Sequence, residues 1–239
     1  MRFEEFNEEF TKKLNEINNT CSKDESEKLF KYMNILLEWN EKMNLTAITD
    51  ESEIISKHFV DSLTILKYIK DNYKVIDVGT GAGFPGIPLA IFKNEAKFTL
   101  LDSLNKRVNF LNEVKEKIEL DNVENLHGRA EDFGQNKAYR EQYDVAVSRA
   151  VAPMHVLLEY LLPFVKVGGM CICMKGPNVS EEIKDIENVA RKLGAKMVET
   201  ENLKLLNGEI ERNIIILKKI KNTDKKYPRK AGTPSKQPL

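Results

Sequence analysis

The sequence is poor in cysteine and contains no long apolar segment. Only three cysteines occur among 239 residues, which argues against a disulfide framework and fits a reducing compartment. No apolar run approaches the roughly 18 residues that a membrane-spanning helix needs. The acidic amino-terminal segment also lacks the apolar core of a signal peptide. We therefore expect a cytoplasmic protein without a membrane segment.

The chain also lacks an excess of charge of one sign, but its charge is unevenly distributed. Lys and Arg number 37, and Asp and Glu also number 37. From Lys218 to the carboxyl terminus, however, eight basic residues accompany one acidic residue, Asp224. Such a tail is either a disordered solubilising segment or an arm that contacts phosphates, because clustered cations gain affinity by releasing counterions.

The pattern of apolar residues changes near residue 73. Before it, apolar residues recur at spacings of three and four, which predicts amphipathic helices. After it, short apolar runs alternate with helical segments, which predicts right-handed βαβ units and a parallel sheet. The predicted strands are 75–78, 98–101, 123–127, 143–148 and 170–174, and the predicted helices between them are 86–93, 104–118 and 153–166.

Two more extended segments near the end, 196–205 and 210–220, are separated by Asn207-Gly208, a hairpin turn signal. We therefore predict an α/β fold whose parallel sheet is closed by an antiparallel hairpin. The predicted parts are a helical extension over 1–70, a sheet-containing domain over 71–220 and a basic tail over 221–239.

The segment 74–86 predicts a strand, a glycine loop and a helix. Gly81-x-Gly83-x-x-Gly86 matches the dinucleotide fingerprint, which alone is weak evidence. Asp77, two positions before the first glycine, would oppose a pyrophosphate at the helix amino terminus. An acid at this place is typical of S-adenosylmethionine enzymes, where it helps to position the cationic methionine end. The alternative is that Asp77 braces the loop or caps the helix.

Polar residues also end the next two predicted strands. Asp102 lies 23 residues after Gly79, where a carboxylate can accept both ribose hydroxyls of an adenosine or cap the following helix. Glu131 and Asp132 follow the third strand and could reach an adenine edge or cap a helix. Because these strand ends occur in chain order at one sheet edge, together they predict an adenosine-containing ligand.

Several motifs together resemble the RsmG/GidB family of 16S rRNA guanine-N7 methyltransferases over the whole chain. The matching pieces are Trp39-Asn40-x-x-x-Asn44-Leu45-Thr46, His58-Phe59-x-Asp61-Ser62, the segment from Asp77 to Gly86, Gly128-Arg129-Ala130-Glu131, Ser148-Arg149-Ala150, and Lys226-Tyr227-Pro228-Arg229-Lys230-x-Gly232-x-Pro234.

The resemblance implies a Rossmann-like class I S-adenosylmethionine-dependent methyltransferase fold with a mostly parallel seven-stranded sheet. It implies methyl transfer from S-adenosylmethionine to N7 of a specific guanine in 16S rRNA, guanine 527 in that family, with 16S rRNA or the small ribosomal subunit as the partner. Nothing in the sequence demands a metal ion or more than a monomer. The cofactor contacts carried over are Gly79, Phe84, Ala130, Glu131 and Arg149, to which the loop and strand-end arguments add Gly81 and Asp102.

Candidates for RNA contact come from a helix and from the tail. His58, Asp61 and Ser62 share one helix face by their spacing, so they form either a wall of the active site or a buried polar network. The resemblance favours the wall, with His58 near the substrate. In the tail the candidates are Lys225, Lys226, Arg229 and Lys230.

The expected chemistry needs no general base. No Asp/Asn-Pro-Pro-Tyr/Phe motif and no Pro-Cys follow the fourth predicted strand, and Cys171 and Cys173 lie on another strand. Guanine N7 carries a lone pair and no proton, so it can attack the methyl sulfonium without losing a proton. Alignment of the two reactants can lower the activation barrier by on the order of 7–11 kcal/mol. We therefore predict no catalytic residue.

Arg149 has two open interpretations. It pairs either with the methionine carboxylate or the incoming nucleotide, or with a structural carboxylate. The alternative function, a small-molecule methyltransferase of the same fold, is disfavoured by the basic tail.

Overall fold

The computed structural model describes residues 1–149, 151–208 and 210–239. Its centre is a seven-stranded sheet with the order β3-β2-β1-β4-β5-β7-β6. β1 to β5 run parallel, and β7 is antiparallel to both β5 and β6. The predicted parallel sheet with a closing antiparallel hairpin is confirmed. The strands are β1 Lys74–Val78, β2 Lys97–Asp102, β3 Val123–His127, β4 Tyr143–Arg149, β5 Val165–Lys175, β6 Ala195–Leu205 and β7 Ile210–Lys219.

The connection between the last two strands contains a short 3-10 turn, Leu206–Gly208. The predicted Asn207-Gly208 turn overlaps this segment. Residue 209 lies outside the described residues, as does Ala150 of the Ser148-Arg149-Ala150 motif.

Three of the helices that cover the sheet were predicted from the sequence. The helices are α5 Gly86–Phe92, α6 Asn105–Lys117, α7 Ala130–Gln135, α8 Met154–Leu161 and α9 Ile186–Lys192. The predictions 86–93 and 104–118 agree with the structure to within one residue at each end, and the prediction 153–166 is too long. The predicted helix 153–166 is wrong beyond Leu161, because a 3-10 turn follows and β5 begins at Val165. Two short helices, α7 and α9, were not predicted, since six or seven residues give little periodicity; α5 is as short as α9, but the glycine loop before it marked its start.

Three helical stretches precede the sheet: α1 Phe3–Asn15, α2 Lys23–Met43 and a segment from residue 51 to 63. A capping box starts α2, where Glu25 N donates to the Ser22 hydroxyl at 3.3 Å and the Glu25 carboxylate accepts from Ser22 N at 2.6 Å. The third stretch consists of α3 Glu51–Ile54, a π-helical segment Ile55–Val60 and α4 Asp61–Leu63. Among the described helices, none is long and apolar enough to cross a bilayer.

The amino-terminal helices share a hydrophobic core with the sheet. Phe6, Tyr32 and Phe59 are fully buried and belong to one cluster with Phe98 and Leu100 of β2. A second cluster joins the sheet to α8 and α9. The predicted boundary near residue 70 therefore marks a change of secondary structure, while the core continues across it.

The basic tail packs against the sheet-containing domain. The Arg140 guanidinium donates to the carbonyls of Thr223 at 2.7 Å, Asp224 at 3.1 Å and Tyr227 at 2.7 Å. Tyr227 and Pro228 are buried. The tail is thus a folded segment, which includes the short helix α10 Thr233–Lys236.

Two cations counted with the tail serve its anchoring. Lys219 is buried and donates to the carbonyl of Leu162 at 2.6 Å and the hydroxyl of Thr223 at 2.7 Å. Arg229 forms a 2.6 Å ion pair with the buried Glu159. Lys225, Lys226 and Lys230 are exposed.

We expect Arg140→Gln to release the tail, because the variant loses charge-assisted hydrogen bonds to three tail carbonyls. The free energy of unfolding should fall by about 2 kcal/mol, measured by urea denaturation. Trypsin should also cleave after Lys225 and Lys226 faster than in the wild type. Arg191→Gln, an exposed arginine of α9, is the matched control. Unchanged tryptic protection of the tail in Arg140→Gln would contradict the anchoring role.

Candidate active site

The glycine loop between β1 and α5 turns back beside β2. The amides of Gly79 and Thr80 both donate to the carbonyl of Leu101, at 2.8 and 3.2 Å. Gly79 has φ +71°, and a Cβ there would lie 2.7 Å from a methyl group of Val151. Gly81 has φ +63° with open space around it. Because other residues rarely adopt these conformations, glycine keeps the loop backbone accessible from the sheet edge.

Asp77 braces this loop from behind. Its Oδ2 accepts from the Thr80 hydroxyl at 2.7 Å and from Gly86 N at 2.9 Å. The side chain is fully buried, its Oδ1 has no hydrogen-bond partner in the structure, and burial raises the pKa of Asp77 to about 7. The interpretation that Asp77 positions a cationic ligand is therefore replaced by the alternative, a loop brace.

Asp102 connects the loop to α6. Its Oδ2 accepts from Gly81 N at 2.9 Å, and its Oδ1 accepts from Leu104 N at 2.9 Å. Arg107 Nη1 lies 3.4 Å from Oδ2. Each carboxylate oxygen has a second lone pair, so Asp102 can accept further hydrogen bonds while it holds both backbone segments.

Two cavities, of about 440 and 160 Å³, share Gly79, Ser103 and Val151 in their walls. Gly81 and Asp102 also line the larger cavity, while the smaller one lies toward α7. The remaining predicted contacts divide between them: Phe84, Arg149 and His58 line the larger cavity, and Ala130 and Glu131 line the smaller one. The structure thus brings all seven predicted cofactor residues to one divided site.

This divided site fits S-adenosylmethionine. Loop backbone around Gly79 and Gly81 is accessible to a long ligand, and Asp102 offers lone pairs to ribose hydroxyls at the middle of the site. The smaller cavity beyond Gly79 provides separate space for a flat base. When bound, the cofactor supplies an electrophilic methyl sulfonium, and the protein positions it.

Arg149 stands opposite the loop in a buried polar cluster. Its Nη1 is 2.7 Å from Asp61 Oδ2 and donates to the Lys57 carbonyl at 3.0 Å. The other oxygen of Asp61 accepts from Arg212 Nε at 2.9 Å. The structural ion pair considered for Arg149 is therefore present. Its guanidinium also lies 4.9 Å above the centre of the Phe84 ring, at the cavity wall.

His58 is held neutral in this cluster. Its ring stacks on Phe84 with centroids 4.4 Å apart, and its Nδ1 lies 3.1 Å from Arg149 Nη2. Nδ1 also lies 3.2 Å from the Lys57 carbonyl oxygen, to which it can donate, and Nε2 lies 2.8 Å from the Thr46 hydroxyl. Burial and the repulsion of Arg149 lower the pKa of His58 to about 3.

Sequence reasoning assigned no role to several residues that shape the larger cavity. Asn40 holds Thr46 through two hydrogen bonds: its Oδ1 accepts from Thr46 N at 2.9 Å, and its Nδ2 donates to the Thr46 carbonyl at 3.0 Å. Leu45, Thr46, Arg107 and Val151 all line the cavity. The Trp39-to-Thr46 motif was the available signal, but the role of Asn40 depends on a loop geometry that spacing does not reveal.

The four tail candidates for RNA contact line neither cavity. The tail nevertheless borders the smaller one. Gly232 N donates to Glu131 at 2.9 Å, and the hydroxyls of Tyr160 and Ser235 are 2.9 Å apart. Within the described ranges, no group of three or more His, Cys, Asp or Glu side chains could hold a metal ion.

The strand order, the glycine loop and the divided cavity define a methyltransferase of the class I S-adenosylmethionine-dependent fold. Similar folds occur in TYW2 of M. jannaschii in complex with AdoMet (TM-score 0.56, 17% identity, covering 73% of this chain and 80% of that one). A SAM dependent methyltransferase from Aquifex aeolicus is also similar (TM-score 0.54, 20% identity, covering 73% and 96%).

The chain belongs to the rRNA small subunit methyltransferase G family, whose model matches residues 25–215. It is 55% identical over 215 residues to the ribosomal RNA small subunit methyltransferase G of Alkaliphilus metalliredigens, covering 89% of this chain and 90% of that protein. It is 52% identical over 211 residues to the protein of that name from Clostridium tetani, covering 87% and 88%. The resemblance and the fold class inferred from sequence are confirmed.

We expect His58→Gln to reduce the loss of stability at acid pH. Between the folded pKa of about 3 and the unfolded value of about 6.5, the unfolded chain binds more protons, so the free energy of unfolding falls as pH falls. At about pH 5 the histidine accounts for about 2 kcal/mol of that loss. Urea denaturation at about pH 5 and 7.5 measures it.

Asp77 contributes the opposite slope in wild type and variant alike, because its raised pKa favours the folded state at low pH. Its effect therefore cancels in the comparison. His155→Gln, a half-buried histidine of α8, serves as the control. A pH dependence that is the same in His58→Gln as in the wild type would refute the buried neutral state.

Asp102→Asn should weaken S-adenosylmethionine binding about tenfold or more, because a charged acceptor for the ribose is lost. Isothermal titration calorimetry measures the dissociation constant. The matched control is Asp144→Asn, near the amino-terminal ends of the parallel strands and away from the cavities, where Asp144 accepts from Lys74 N at 2.9 Å. Equal affinities in Asp102→Asn and Asp144→Asn would show that the carboxylate only supports the loop.

Proposed function

We propose that the protein transfers a methyl group from S-adenosylmethionine to N7 of a specific guanine in the 16S rRNA of the small ribosomal subunit. Membership of the rRNA small subunit methyltransferase G family supports the RNA target. The observation that carries the proposal is local: the braced glycine loop faces a cavity whose histidine is neutral and a weak base, because its pKa is lowered to about 3.

The predicted cofactor residues suggest how S-adenosylmethionine lies in the site. The methionine end occupies the larger cavity along Gly79 and Gly81, with the ribose at Asp102. The adenine occupies the smaller cavity beside Ala130 and Glu131. In this arrangement the methyl group points into the space bounded by Phe84, His58 and Arg149.

Reaction at guanine N7 suits these residues. His58 at the cavity wall is a weak base, because burial and Arg149 lower its pKa to about 3. A substrate nitrogen that must lose a proton would need an available base, whereas N7 attacks the methyl group with its own lone pair. The protein's contribution is alignment of the two reactants, with Arg149 close enough to contact the methionine carboxylate or the nucleotide.

The tail supplies charge for an RNA partner. Lys225, Lys226 and Lys230 are exposed on a folded segment that borders the adenine side of the site. Arg229 contributes differently, because its ion pair with Glu159 fixes the tail in place. We propose that the three lysines contact RNA phosphates and that the protein acts as a cytoplasmic monomer. A small-molecule substrate, the alternative, would give these lysines no role.

The decisive experiment is transfer of labelled methyl groups to small-subunit RNA that lacks the modification. N7-specific strand scission of the product should then reveal one modified guanine. Raising the salt concentration should weaken RNA methylation steeply, because released counterions drive phosphate binding. Incorporation at another atom, or transfer to small molecules only, would overturn the proposal.

The tail is tested by charge rather than by deletion, because removal of Tyr227 and Pro228 would expose the core that they cover. We expect the combined Lys225→Gln, Lys226→Gln and Lys230→Gln variant to raise the KM for RNA. The slope of log KM against log salt concentration should fall by the amount that about two to three phosphate contacts contribute. The variant's affinity for S-adenosylmethionine should not change. An unaltered salt slope would exclude these lysines from RNA binding.

A further inference from the structure

A second concavity lies beside the larger cofactor cavity, between α2 and α6. Its volume is about 350 Å³, and Trp39, Lys42, Lys106 and Asn109 are among the residues that line it. The same two segments continue into the cofactor cavity, where Thr46 follows α2 and Arg107 follows Lys106. A polymeric ligand that places one monomer in the cofactor cavity could therefore place the adjacent monomer in this concavity.

Trp39 is the only tryptophan of the protein, and its indole ring is fixed. It meets the buried Phe110 edge-on, with centroids 5.6 Å apart and an interplanar angle of 64°. Glu113 of α6 lines the concavity beside the indole. A ring packed against a buried aromatic neighbour loses little conformational entropy on binding a flat partner.

Of the cations around Trp39, one forms no ion pair with another described residue. Glu113 is paired with Lys117 at 2.6 Å, and Glu38 with Lys42 at 3.8 Å. Lys106 is exposed and forms no ion pair with any residue in the described part of the chain. Leu104, which lies in the chain between Ser103 of the larger cofactor cavity and Lys106 of this concavity, exposes 52% of its surface although it is apolar.

We propose that this concavity is a binding subsite for a nucleotide next to the methylated guanine, in a single-stranded stretch of the RNA. The neighbouring base stacks on Trp39, Leu104 supports the chain between the two cavities, and Lys106 contacts a phosphate. An aromatic platform beside a cation is the combination that binds single-stranded nucleic acid. The inference rests on the proposed function, since it assumes an RNA substrate.

The position of the single tryptophan allows a direct test in the wild-type protein. A short small-subunit RNA fragment that is methylated in the assay should quench the intrinsic fluorescence on titration. The same fragment with an abasic site next to the target guanine should quench much less at equal occupancy. A fragment that is methylated without quenching the tryptophan fluorescence would overturn the subsite. The same result is expected if the surface around Trp39 binds a protein partner instead of RNA.

Variants test the same subsite by kinetics. Trp39→Leu should raise the KM for RNA about 5- to 150-fold, the range of base–aromatic stacking, while Trp39→Phe should recover part of it. Lys106→Gln should raise the KM for RNA and lower the slope of log KM against log salt concentration by the amount that about one phosphate contact contributes. The dissociation constant for S-adenosylmethionine should stay unchanged in all three. Lys97→Gln, an exposed lysine at the opposite edge of the sheet, is the matched control.

The two levels of the proposal fail in different ways. If no small-subunit RNA accepts methyl groups, the proposed function falls and the subsite falls with it. If RNA is methylated but Trp39→Leu and Lys106→Gln have the same KM as Lys97→Gln, only the subsite is wrong.

Discussion

The buried carboxylate of Asp61 holds together three parts of the chain at the edge of the sheet. It pairs with Arg149 at the end of β4 and with Arg212 on β7, and it belongs to the helical stretch before the sheet. Removing one partner of a buried ion pair typically costs about 3–5 kcal/mol. Because Arg149 in turn contacts His58 and, after burial, contributes to its lowered pKa, the far wall of the active site depends on this carboxylate.

The glycine loop on the other side is supported from three directions. Asp77 accepts from Gly86 N, Asp102 accepts from Gly81 N, and the Tyr32 hydroxyl of α2 donates to the Ala82 carbonyl. The amino-terminal helices are therefore part of the cofactor site and of its core. This explains why a loop built from conformationally free glycines can present one fixed surface to a ligand. A rigid loop matters most for a reaction that depends on alignment.

The carboxy-terminal tail extends the same principle to the smaller cavity. Arg140 and the Arg229–Glu159 pair anchor it, and Gly232 reaches Glu131 at the wall of the smaller cavity. The basic residues of the tail thus divide into those that fix its path and those that remain exposed. Composition shows only their number, whereas the fold separates the two groups by burial.

The sequence by itself determined the class of fold, the order of the strands along the chain, and the glycine and acidic residues at the cavity walls, because period, glycine spacing and strand-end acids are local features. It also located His58, Asp61 and Arg149 without showing that they form one cluster. Only the tertiary structure decided that Asp77 braces the loop, that Lys219 is buried, that Asn40 positions Thr46 and that the tail is folded. Each of these depends on partners far away in the chain or on a loop conformation, and burial is a property of the packed molecule that local spacing does not encode.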